Sequence, residues 1–154
     1  MSSHSGRGQS ECELTRWLCT ELEHVGATTI ALVGHEMQRA GLPDRYVCHR
    51  SWRGWVEFKR NDGSVKTGQR VMLQRLLDLG DHVLVGRFLP EAGYLAFERV
   101  PVPGCSEGVE LYRVDLREVR DMRAPGVGIL AAMREAWLRY ETELLRTRGK
   151  VSRK

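Results

Sequence analysis

Long apolar runs and paired cysteines are both missing from this chain of 154 residues. No apolar stretch approaches the ~18 residues of a membrane-spanning helix, so no membrane segment is expected. The four cysteines (Cys12, Cys19, Cys48 and Cys105) show no Cys-x-x-Cys spacing. That excludes a disulfide framework or a zinc site and fits the reduced thiols of a cytoplasmic protein. Met1 to Ser10 is rich in Ser and Gly and has no apolar core of the kind a secretion signal carries. Internal repeats and low-complexity linkers are absent too. Neither sign of charge dominates: 24 Lys and Arg face 20 Asp and Glu, a net +4. The pI near 9.1 is compatible with a polyanionic partner without requiring one. What is present, 42% hydrophobic and 29% charged residues, is ordinary for a globular protein. One domain with a substantial core is expected.

Periodicity sets the organisation. Residues 1–9 read as a disordered arm, residues 10–145 as a single domain and residues 146–154 as a basic tail with five cations and no acid. Ser10 caps a helix to about His24, with Glu13 at the capping-box position and Leu14, Leu18, Leu22 and Val25 as its apolar stripe. Gly26 ends it. Residues 28–33 form a β-branched strand, and Gly34 to Gly41 a polar loop. Residues 44–49 and 55–59 read as strands joined by the tight connection Arg50 to Gly54. Arg60-Asn61-Asp62-Gly63 is a turn. A helix follows over 67–79, carrying Val71, Met72, Leu76, Leu77 and Leu79, and then a strand over 82–88. The order α-β-β-β-α-β predicts an α/β fold: a mixed sheet with helices packed on it. Beyond it, residues 94–100 and 110–116 suit strands and residues 129–145 a helix.

The chemistry gathers at the central hairpin. Gly41-Leu42-Pro43-Asp44 opens one strand, and Glu57-Phe58-Lys59 lies on the next. Strand alternation puts Glu57 and Lys59 on one face and Val56 and Phe58 on the other. With position 46 opposite 57, Asp44 falls opposite Lys59 and diagonal to Glu57. Two carboxylates so placed suit a hard cation, Mg²⁺ or Mn²⁺, with the Phe58 carbonyl as a further ligand. Such a site activates water against a phosphodiester, and Lys59 beside it orients or deprotonates that water. The competing reading is a surface hairpin with solvated charges.

These residues carry a resemblance. Gly-Leu-Pro-Asp, an apolar strand, Glu-x-Lys, a Gly-containing turn, a Gln-bearing helix and a Leu-Gly-x-x-Val-x-Val strand resemble the PD-(D/E)xK nuclease superfamily. The closer likeness is to its VRR-NUC branch, found in phage and cellular repair proteins. It covers about residues 11–88 and implies a restriction-endonuclease-like core, Mg²⁺ or Mn²⁺ dependence and cleavage of DNA, often branched and Holliday-junction-like, by a homodimer. It implies metal ligation by Asp44 and Glu57 and a catalytic role for Lys59. Gln69 matches the glutamine on the following helix. Glu11 matches an early helix-borne acid, with Glu13 as its rival. His35 and Glu36 have no counterpart, nor do residues after about 90. The alternative function is a nucleic-acid-binding accessory module of the same fold, without catalysis, in replication or recombination.

Cations flank these positions in sequence. Arg45, Arg50, Arg53, Arg60, Lys66 and Arg70, with Arg39 and His49, are candidates for neutralising phosphates. Trp52, at the turn, is the favoured residue for stacking on an unpaired base, with Trp55 divided between packing and DNA contact. A dimer contact is expected on the C-terminal helix at Trp137 and Leu138 or near Trp55.

Overall fold

The computed structural model describes residues 11–31, 42–102 and 108–151. The arm, the Ser10 cap, the loop with His35, Glu36 and Arg39, the end of the first predicted strand and Cys105 lie outside them. Helix α1 (Glu11–His24) is followed by β1 (Thr28–Ala31), β2 (Arg45–Cys48), β3 (Arg53–Arg60), α2 (Thr67–Asp78), β4 (Val83–Leu89), β5 (Tyr94–Glu98), β6 (Glu110–Asp115), α3 (Leu116–Asp121) and α4 (Pro125–Val151).

The six strands form one sheet in chain order, β1 to β6. Only the β3–β4 pair is parallel, because α2 carries the chain back across the sheet between them. The fold is therefore mixed α/β with flanking helices, consistent with the restriction-endonuclease-like arrangement expected. Among the described residues, no helix is long and apolar enough to cross a membrane.

The helices divide between the two faces. Arg45 pairs with Val56, and its guanidinium reaches the Cys19 thiol of α1. Tyr112 pairs with Phe97, and Arg139 of α4 lies over the Tyr112 ring at 5.1 Å. Both α1 and α4 thus cover the face that carries Val56 and Phe58. There Leu14, Leu18, Leu22, Phe58, Phe88, Phe97, Ile129 and Met133 are fully buried. Gly126 makes the α1–α4 crossing possible, since a Cβ there would overlap the Glu21 carbonyl. The opposite face, with Glu57 and Lys59, receives α2.

Three expectations are corrected. The hairpin register pairs Tyr46 with Trp55, not position 57. The shift is two residues, an even number, so every side chain keeps its face. On α2 the core residues are Leu73 and Leu77, while Val71 is 66% and Leu79 74% exposed. The C-terminal helix begins at Pro125, after the short α3, and runs to Val151, into the stretch read as a basic tail. Proline at the first helical position costs nothing, because its missing N–H would have no partner there.

Candidate active site

The site lies where β2 begins. Extending the hairpin ladder by one residue brings Asp44 opposite Glu57. The Asp44 N–H donates to Glu57 Oε2 at 3.1 Å, and the Phe58 N–H donates to Asp44 Oδ2 at 3.0 Å. Pro43, buried just before it, fixes an extended approach. Each acid is therefore oriented by the other's strand. Lys59 Nζ lies 3.3 Å from Glu57 Oε1. From α2, Gln69 Nε2 donates to the same Oε1 at 2.9 Å, while Gln69 Oε1 accepts from Lys59 Nζ at 3.3 Å and from the Lys66 N–H at 3.1 Å. The last bond is half of a capping box, so one glutamine both starts α2 and ties it to the acid and the lysine.

Burial decides the electrostatics. Glu57 is 1% exposed. Its pKa is pushed up to about 7, first by burial and second by the charge of Asp44, against the opposing pull of Lys59. Among the described residues, no group of three or more His, Cys, Asp or Glu side chains is set to hold a metal ion. Mg²⁺ needs fewer, since one or two carboxylates plus waters and substrate phosphates complete its shell. The donors present fit such an ion: two hard oxygen ligands on adjacent strands, where burial and, second to it, the neighbouring carboxylate disfavour the charge that a cation would offset.

The sequence-predicted residues divide into groups. Asp44, Glu57, Lys59 and Gln69 meet in one cluster. Glu11 lines a cavity of about 200 Å³ with Asp44, Arg45, Cys12 and Thr15, whereas Glu13 is exposed away from it. Lys66 and Arg70 lie at the start of α2 beside Gln69, and Arg70 Nη2 donates to Thr67 at 3.1 Å. Arg60 closes β3 at the same end but on the face of Phe58, opposite the acids, with its Nη2 3.8 Å from Glu91. Arg50, Trp52 and Arg53 do not join them. Arg53 precedes Glu57 by four residues, about 13 Å along a strand. Arg50 lines a separate hollow with Val127, Leu130 and Arg134 of α4.

Trp52 is 4% exposed and packs over Gly54, so it is a core residue and not a stacking surface. Trp55 is the tryptophan beside the acids. Half-buried on the face of Glu57, it packs edge-on against Tyr46 at 4.9 Å and donates its indole N–H to Asp81 at 3.1 Å. Trp137 is likewise core at 6% exposure, leaving Leu138 as the exposed member of that pair.

Sequence reasoning missed Arg87 and Glu98. In the parallel ladder Arg87 stands beside Lys59, and it forms a buried ion pair with Glu98 at 2.9 Å. The signal was there: one cation and one anion inside two otherwise apolar strands, Val83–Leu89 and Tyr94–Glu98.

No family model matches the chain, and no curated protein matches it. Among solved structures, it is similar to Hjc, a Holliday junction resolvase from Archaeoglobus fulgidus, with a TM-score of 0.48 and 18% identity over 62% of this chain and 84% of that one. At that distance neither residues nor activity are carried across.

Proposed function

We propose that this chain is a Mg²⁺- or Mn²⁺-dependent DNA endonuclease that hydrolyses phosphodiester bonds, with a preference for branched substrates. The observation that carries this reading is the Asp44–Glu57 pair on adjacent strands with Lys59 3.3 Å from Glu57. Asp44, Glu57 and the Phe58 carbonyl would hold the cation, with Glu11 near enough to assist through water. When bound, the cation would polarise the phosphate, acidify a water and stabilise the leaving oxygen. Lys59 orients the attacking water and offsets charge in the transition state. Gln69 keeps Glu57 and Lys59 in register. Lys66 and Arg70, beside Gln69 at the start of α2, hold the backbone phosphates of the strand being cut.

An unpaired base at a branch point would stack on Trp55 and Tyr46, one pair of residues along the same face. A two-fold substrate is best served by two copies of the chain, and Leu138, 48% exposed on α4, is the contact proposed. The test is a cleavage assay on duplex, single-stranded, flap and four-way DNA with Mg²⁺, Mn²⁺ or EDTA. Metal-dependent cutting that favours the branched members supports the reading. Tight binding to those members without cutting would instead identify a binding module.

A further inference from the structure

Gln69 reaches Glu57 only because α2 starts where it does, and α2 starts where the β3–α2 connection delivers it. That connection is held by a buried cation. The Arg87 side chain is 16% exposed, and that of Glu98 10%. Arg87 Nε donates to Glu98 Oε2 at 2.9 Å, and its Nη1 donates to two loop carbonyls, those of Asn61 and Gly63, both at 2.7 Å.

The loop is pinned at the same place from its own side. The Asn61 N–H donates to the Phe88 carbonyl at 2.8 Å and the Gly63 N–H to the Arg60 carbonyl at 3.0 Å. Asn61 sits at φ +51°, a left-handed conformation that presents its carbonyl to the guanidinium. Two residues after Gly63, Val65 is buried at 5% exposure. Then the Lys66 N–H meets Gln69 Oε1, and Gln69 meets Glu57. Hydrogen bonds thus run from Glu98 through Arg87 to the turn, and only the two residues Ser64 and Val65 separate the turn from the bonds that Lys66 and Gln69 make at the site.

An ion pair kept only for packing would not need this geometry. Buried pairs are commonly replaceable by apolar residues of similar volume. An apolar pair between β4 and β5 would bind no loop carbonyl. The planar fork of arginine can satisfy a carboxylate and two carbonyls at once, whereas a lysine ammonium is a single point of charge.

We propose that Arg87, braced by Glu98, is a positioning residue: it sets the β3–α2 turn and so holds the Gln69 amide against Glu57 and Lys59. This rests on the reading of Asp44, Glu57 and Lys59 as the reacting site. The bonds of Arg87 go to Glu98 and to the two loop carbonyls and not to Asp44 or Glu57, so its loss should act on turnover and not on DNA affinity.

The test uses the full chain with Arg87→Lys, and Glu98→Gln as a second, milder variant. Hydrogen exchange is read at the Lys66 N–H and the Gln69 side-chain amide, with the Leu84 and Val85 amides of the central strand β4 as reporters of the sheet. Single-turnover cleavage with Mn²⁺ is measured at saturating protein. In Arg87→Lys, exchange at Lys66 and Gln69 should quicken by about tenfold or more while Leu84 and Val85 stay protected. The saturated rate should fall about tenfold to a hundredfold, with half-saturation within about twofold of the parent. Glu98→Gln should move both quantities the same way by less. Unchanged Lys66 and Gln69 protection, or loss of protection at Leu84 and Val85 in step with them, would overturn the proposal. If the parent cuts none of the DNA panel, the nuclease reading falls, and the exchange measurements still decide whether Arg87 positions Gln69.

Discussion

The two ends of strand β3 are built from opposite materials. At its amino end the Trp52 ring lies over Gly54, where a Cβ would come within 2.5 Å of it, and His82 stacks on Trp137 at 4.2 Å. Trp137 in turn meets Tyr140 at 5.5 Å. Burial pushes the His82 pKa down, which favours the neutral ring in that setting. At its carboxyl end the same strand carries Glu57 and Lys59, with Gln69, Arg87 and Glu98 around them. The aromatic end gains free energy from burial. The polar end gives some back, because a carboxylate held near 1% exposure beside another is disfavoured in its charged form. A fold can hold such a cluster because the opposite end of the strand, and the core beneath it, stabilise the whole.

This contrast can be broken at either end. The largest effect is expected at the polar end. Asp44→Ala, Glu57→Ala and Lys59→Ala should each lower saturated cleavage by about 10²- to 10³-fold. Circular dichroism should stay that of the parent. At the aromatic end the outcome reverses. Trp52→Ala should cost about 3–5 kcal/mol of stability, and Gly54→Ala about 1–3 kcal/mol through overpacking. Denaturant melts measure both, and the protein that remains folded should cut at the parent rate.

A pH titration sharpens the comparison further. The folded-state pKa of Glu57, about 7, lies above its ordinary value of 4.5. Between those values the folded chain keeps a proton that the unfolded chain has released. Stability from this group is therefore highest below pH 4.5 and declines as pH rises towards 7, by about 3 kcal/mol in total. Glu57→Gln should remove that slope and be the more stable protein above pH 7, read from urea midpoints at pH 5 and pH 8. In the parent, Mn²⁺ should restore stability above pH 7 and bind more weakly below it, since the proton must leave first. The smallest effects concern the surface. Lys66→Ala and Arg70→Ala should each reduce the salt slope of DNA binding by about 1. Arg50→Ala and Arg53→Ala, at the far end of the strand, should change it less, which mobility shifts at several salt concentrations would measure.

The order of elements was legible because the apolar periods of α1, β4 and the hairpin are strong and their stops are glycine-rich. The Asp44–Glu57 juxtaposition survived a wrong register because an even slip preserves the face. Gln69 was legible through the motif order alone, since nothing local distinguishes it from a solvated helix residue. Other features depend on contacts distant in sequence. Whether Trp52 or Trp55 is buried is settled by Gly54 and His82. The Arg87–Glu98 pair requires β4 and β5 to be neighbours. The cations looked like one patch because they are close in sequence, yet an extended strand separates Arg53 from Glu57 by about 13 Å. The start of α4 was hidden by Gly126 and Gly128, which lower helix propensity although one of them is needed for the crossing with α1.

Whether Asp44, at the start of β2, and Glu57 of β3 serve a divalent cation in cutting DNA is tested most directly by single-turnover cleavage of a four-way junction by the parent and by Glu57→Ala at saturating protein, with Mn²⁺ and then with EDTA. The parent should cut with Mn²⁺ and stop with EDTA, while Glu57→Ala binds the junction as tightly and leaves it whole. Cleavage by Glu57→Ala at the parent rate, or cleavage by the parent that EDTA does not touch, would contradict that role.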